Sequence, residues 1–162
     1  MARQTLILFF LLWSFNTWAQ VEQDPSLDPD SVYMKVFRTL TLKEPVIEEE
    51  GWSNFSNHDW EALAYWEVQK DPRPDQMQEA VGDLYLFQSD STFIIRLRDP
   101  QNPQQIGNSI TGRYRLPGRK VIALRPTSGR EEIIWPIIHL SKDYMVLEVD
   151  GLRIFFTQFL SY

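Results

Sequence analysis

His58 and His139 are the chain's only histidines, and it has no cysteine. A zinc site would therefore need both histidines and a carboxylate, and their spacing carries no sign of one. His139 stands between Ile138 and Leu140 in an apolar run, where a histidine reads as structural. No Gly-x-Ser-x-Gly elbow and no phosphate-cradling glycine loop appear. Glu131 and Glu132 are adjacent, so on a strand they point to opposite faces and cannot share acid–base work. Asp24, Asp28 and Asp30 lack the glycine and the distal glutamate of a calcium loop and read as a solvated linker. Asn54-Phe55-Ser56 fits the glycosylation acceptor pattern, a three-residue match that chance supplies often. These residue types predict no enzyme, no cofactor and no metal centre.

Charge and aromatic content carry more. Between residues 96 and 130 stand eight basic side chains, Arg96, Arg98, Arg113, Arg115, Arg119, Lys120, Arg125 and Arg130, against Asp99 alone. If the strands holding Arg96, Arg98, Arg113 and Arg115 pair, four like charges crowd one face, which destabilises it. Relief would come from the chain itself, with Glu48 to Glu50 as the nearest acidic run, or from an anionic ligand or acidic partner. A second cluster, Trp52, Phe55, Trp60, Tyr65 and Trp66, could stack on sugar rings, but aromatics dominate cores and packing at the base of the domain is the expectation.

The elements that would position these side chains start with an export signal. Arg3 supplies a positive start, Leu6 to Trp13 is an unbroken apolar run, and Thr17-Trp18-Ala19 offers small residues for cleavage before Gln20. The run is half of the roughly 20 residues a spanning helix needs, so residues 1–19 read as a cleaved signal and no membrane span remains after cleavage. The mature chain is acidic, which argues against nucleic acid as a partner. An exported domain without cysteine is held by its core rather than by disulfides. This leans towards a bacterial periplasmic or secreted protein, and without a cysteine after the signal it is not a lipoprotein.

Residues 20–50 form an acidic N-terminal segment. Val32, Tyr33, Val36, Phe37 and Leu40 recur at helical spacing with Asp30 or Ser31 as N-cap, although Val36, Leu40 and Leu42 also fit a strand. Glu48 to Glu50 read as an exposed loop. From Gly51 to the end the pattern turns to period two, with turn signals every 8 to 12 residues or so. Eight strands are predicted, near 61–69, 82–88, 92–98, 110–116, 119–125, 131–140, 144–149 and 152–159. Asp150-Gly151 signals a type I′ hairpin, and Ser89-Asp90-Ser91 and Pro117-Gly118 signal tight reversals. Residues 99–109 read as a longer, polar, mobile flap.

Short joints imply an antiparallel up-and-down meander, which removes its exposed edges by closing into a barrel; a two-sheet sandwich is the alternative. Phe93, Ile95, Leu97, Tyr114, Leu147 and Ile154 are the expected barrel interior. The outer wall is also apolar in places, and the segment around 31–47 is the expected cover. Pro136 marks an edge or a bulge.

The stretches YLFQSDSTFII, TGRYRLPGRKVIAL and IIHLSKDYMVLEVDGLRIFFTQ resemble the small lipocalin-like proteins exported by bacteria, over about residues 60–160. The chain departs from those proteins in lacking a clean glycine-x-tryptophan at the first strand and a lipidated cysteine. The resemblance implies a barrel and at most a ligand cavity. Two roles follow. One is a binder of a small apolar or amphipathic ligand in the barrel, since eight strands enclose just enough room for side chains or one small ligand. The other is an envelope interaction or inhibitor module that uses the basic face or the 99–109 loop. The bulk of the six interior residues decides whether the first role has a site.

Overall fold

The computed structural model describes residues 31–56 and 58–159; the expected signal and the linker with Asp24, Asp28 and Asp30 lie outside them. The segment left open between helix and strand is a helix, α1 (Val32–Leu40). Ser31 caps it, its Oγ accepting the Met34 N–H at 3.3 Å. Ten strands follow: β1 (Val46–Ile47), β2 (Asp59–Glu67), β3 (Gln78–Glu79), β4 (Leu84–Phe87), β5 (Thr92–Asp99), β6 (Asn102–Arg115), β7 (Val121–Pro126), β8 (Ile133–Leu140), β9 (Tyr144–Val149) and β10 (Leu152–Gln158). A second helix, α2 (Glu49–Phe55), lies between β1 and β2.

Eight strands close into an antiparallel barrel in the order β2-β4-β5-β6-β7-β8-β9-β10, with β10 returning to β2. The expected meander is therefore the barrel and not the sandwich, and all eight predicted strands are present. The short β1 and β3 were not expected. Each extends an edge left free: β1 runs parallel to the end of β8, where Val46 faces His139, and β3 continues along β2 where β4 stops.

Turn chemistry fixes the register. Asp150 and Gly151 take φ of 49° and 81°, the paired left-handed residues of a type I′ turn. At the β4–β5 turn Ser91 is left-handed, and the Asp90 carboxylate accepts the Thr92 N–H at 3.0 Å and its hydroxyl at 2.6 Å. Two readings need correction. The 99–109 flap is mostly strand, because Asp99 Oδ1 accepts the Gln101 N–H at 2.8 Å, the chain reverses at once, and β6 starts at Asn102. Glu48 to Glu50 are not a loop; Glu48 is the N-cap of α2 and Glu49 and Glu50 fill its first turn, where carboxylates suit the helix dipole. The barrel strands accordingly begin at Asp59, after this helix.

Two apolar layers result. Inside the barrel, Trp60, Phe87, Phe93, Ile122, Leu124, Ile137, Met145, Leu147 and Phe156 are fully enclosed. Outside it, Val36 and Leu40 of α1 pack with Ala64, Trp66, Ile138, Val146 and Phe155. The expected cover of the apolar outer wall is therefore supplied from Val36 onward, where the compact unit holding the sheet begins. Enclosing a leucine such as Leu40 contributes roughly 2 kcal/mol.

Candidate functional site

The barrel's two mouths differ. At one, α2 is the stopper. Gly51 lies so close to the end of β8 that a Cβ there would sit 2.6 Å from the Leu140 side chain. The helix's last residue, Phe55, enters the interior and stacks on Phe87 with ring centres 4.7 Å apart, while Tyr114 meets both rings edge-on. The Trp60 indole N–H donates to the Phe55 carbonyl at 3.1 Å, tying helix to barrel. The β4–β5, β6–β7 and β8–β9 turns lie at this end.

The centre is also filled. Tyr85 meets Phe156 edge-on at 4.7 Å and Trp135 at 5.9 Å. Burial, aided by the nearby Asp83 carboxylate, pushes the Tyr85 phenol up to about 12. The Trp135 indole N–H is buried with no hydrogen-bond partner. Ser141 is the one buried polar residue among the described residues, so the interior is apolar and uncharged.

The opposite mouth, where β5, β9 and β2 end, is less complete. Leu97, Ile110, Val149, Ile154 and Ala80 pack against the interior cluster and are partly buried. The β5–β6 hairpin extends beyond the barrel here, since β7 pairs with β6 only from Gly112 onward and residues 102–109 are exposed. Arg98 braces its root. The Arg98 amide donates to Asp83 Oδ1 at 2.7 Å, and its guanidinium donates to the carbonyls of Gly82 at 2.8 Å and Pro103 at 3.1 Å.

The expected interior residues thus divide. Phe93, Ile95 and Leu147 are enclosed, Tyr114 belongs to the stoppered end, and Leu97 and Ile154 stand at the unstoppered mouth. Ile110, Val149 and Ala80 complete that mouth and were not singled out; alternation from Gly112 back along β6 would have found Ile110.

The four arginines do not act together. Arg98 turns to the hairpin root. Arg115 makes a bidentate pair with Glu132, at 2.8 and 2.6 Å, which holds the glutamate below and the arginine above their ordinary values. Arg96 faces Ser109 and Arg113 faces Thr92 across the β5–β6 pair, and among the described residues neither has a hydrogen bond or ion pair. The acidic run contributes through Glu49, which pairs at 2.9 Å with Arg119 rather than with a strand arginine.

The aromatic cluster divides as well. Trp60 lies inside and Trp52 packs on the interior beside Phe55. Trp66 lies outside, beneath the Arg153 guanidinium, and its indole N–H, like that of Trp135, has no partner. The Tyr65 hydroxyl donates to Gln78 of β3. His139 Nδ1 is buried without a partner, and burial holds the imidazole below its ordinary value, with Glu48 pulling the other way. Among the described residues no three His, Asp or Glu side chains converge in a metal-binding group, and no helix is long and apolar enough to cross a membrane.

No protein-family model matches the chain, and no curated protein matches its sequence. Solved structures do. A lipocalin-like protein from Bacteroides uniformis ATCC 8492 is similar with a TM-score of 0.50 at 16% identity, over 64% of this chain and 98% of that one. An uncharacterized protein from Bacteroides eggerthii DSM 20697 is similar with a TM-score of 0.50 at 13% identity, over 63% and 98%. At such identities the likeness speaks for the fold alone: the eight closed strands are a lipocalin-like barrel.

Proposed function

We propose that this protein is an exported binder, not a catalyst, and that it holds one small apolar or amphipathic molecule at the unstoppered mouth of the barrel. The observation that carries the reading is the partly buried apolar ring of Leu97, Ile110, Val149 and Ile154 at the end that α2 does not close. Apolar surface left in contact with water gains free energy when a ligand covers it. The filled centre limits the guest to something small that lies at the rim. Export rests on the residue pattern before Gln20, and an N-terminus at Gln20 in material recovered outside the cytoplasm is its test.

A naphthalene dye whose emission rises in apolar surroundings tests the site. Wild type is expected to bind it saturably with one dye per chain. Leu97→Lys, which sets a charge in the ring, is expected to weaken binding tenfold or more. Unsaturable binding, or equal binding by the variant, would overturn the reading.

A further inference from the structure

Beyond that mouth, the outer wall carries a directly opposed pair of like charges. Arg113 on β6 and Arg125 on β7 are direct cross-strand partners. Gly112 and Tyr114 point inward, as does Leu124, so both arginines point out, and both are exposed. Directly opposed residues have Cβ atoms about 5 Å apart, and like charges so placed repel. The backbones crowd at the same spot: a Cβ on Gly112 would lie 2.2 Å from the Arg125 carbonyl oxygen, so the strands cannot ease apart without losing the pairing.

Two carboxylates bear on the pair from a distance, without a hydrogen bond to either arginine. Asp90 feels Arg113 electrostatically, and its Oδ1 accepts from the Thr92 amide and hydroxyl. Glu132 feels Arg125, yet both of its oxygens are on Arg115. Among the described residues neither Arg113 nor Arg125 has a hydrogen bond or ion pair, whereas Arg98, Arg115, Arg119 and Arg153 all do.

We propose that Arg113 and Arg125 form a binding site for a doubly charged oxyanion, a phosphate or sulfate group held between the two guanidinium forks. A tetrahedral oxyanion has oxygens enough for both planar donors, where a carboxylate has two. Its charge turns the cross-strand repulsion into two attractive contacts. The site is on the outer wall and is independent of the barrel mouth.

Thermal melts of the full chain in sodium phosphate and in sodium chloride, at equal ionic strength and pH, test this. Equal ionic strength removes general screening. The stabilisation that phosphate gives any fold by exclusion from its surface is shared by all variants, so the increment that reports a site is the part lost when either arginine is replaced. Phosphate is expected to raise the wild-type midpoint by roughly 3 °C more than chloride. Arg113→Gln and Arg125→Gln are each expected to melt no lower than wild type in chloride, since repulsion is removed, and to lose the phosphate increment. Arg96→Gln, a lone arginine on the neighbouring strand, is expected to keep it. Flotation with phosphatidic acid vesicles separates the sources: capture that needs Arg113 assigns the group to a lipid headgroup, and a phosphate increment without capture assigns it to a solute. An equal midpoint in both salts, or an increment that survives in Arg113→Gln and Arg125→Gln, would overturn the site.

Discussion

Tyr85 is a phenol in an apolar interior, with Phe156 and Trp135 against its ring and Asp83 nearby. Ionising it inside the barrel is unfavourable, which is why its pKa rises from 10.0 to about 12. The folded state therefore keeps its proton where the unfolded chain has lost it. Stability from this group is complete below about pH 10 and is lost as pH rises towards 12. A displacement of this size corresponds to about 2–3 kcal/mol. Tyr85→Phe should flatten the fall in stability between pH 10 and 12, measured by denaturant unfolding at stepped pH. An unchanged slope would show that the phenol reaches water. At this scale the sequence is a partial guide. Phe93, Ile95 and Leu147 were readable as interior from alternation alone, whereas the fates of the arginines were not. Arg115 meets Glu132 and Arg98 meets Gly82 and Asp83 only because turns of unequal length bring those groups to them.

Among the elements, α2 decides what kind of barrel this is. Its seven residues are too few to be stable alone; packing holds it, through Phe55 in the aromatic stack and the bond from Trp60. Phe55→Ala should cost about 3–5 kcal/mol and open the mouth that α2 stoppers, so dye binding should rise from one site to two. A stable variant with unchanged stoichiometry would show that the helix does not seal the barrel. The strands were legible because their alternation and turn residues are local, and α1 because its apolar residues recur at helical spacing. What alternation could not give is where it breaks. Period two places Trp60, Ala62, Ala64 and Trp66 on one face, yet Phe155 pairs with Ala64 and Phe156 with Ala62. Leu63 is the extra residue of a bulge, and it sends Trp60 inward and Trp66 outward. Just past Pro136, β8 does the same: Ile137 pairs with Leu147 and His139 with Val146, so Ile138 joins the outer layer while Leu140 returns to the inner one. A bulge depends on the partner strand's register, which a single run of residues does not contain. The helix in place of the Glu48 to Glu50 loop was missed for a related reason, since Gly51 and Phe55 make it a helix by where they pack.

Across the whole molecule, seven of the eight pairings in the ring join barrel strands that follow one another along the chain, and the eighth joins β2 to β10. The distinction is one of time. Neighbouring strands can meet after closing short loops, while β2 and β10 stand at the two ends of the barrel sequence and come within reach only once the strands between them have paired and shortened the remaining loop. A half-assembled ring would carry two raw edges, and the last pairing would remove both at once. Substitutions in that seam should then act after the rate-limiting step. Phe156→Leu, inside the β2–β10 pair, is expected to speed unfolding and leave refolding nearly unchanged, while Phe93→Leu, inside the β4–β5 hairpin, is expected to slow refolding. Stopped-flow traces of the two variants showing the reverse pattern would mean that the ring closes first and the hairpins settle within it. The seam then becomes the barrel's kinetic latch: the lifetime of the folded state is set where β10 meets β2, and the speed of reaching it is set in the hairpins.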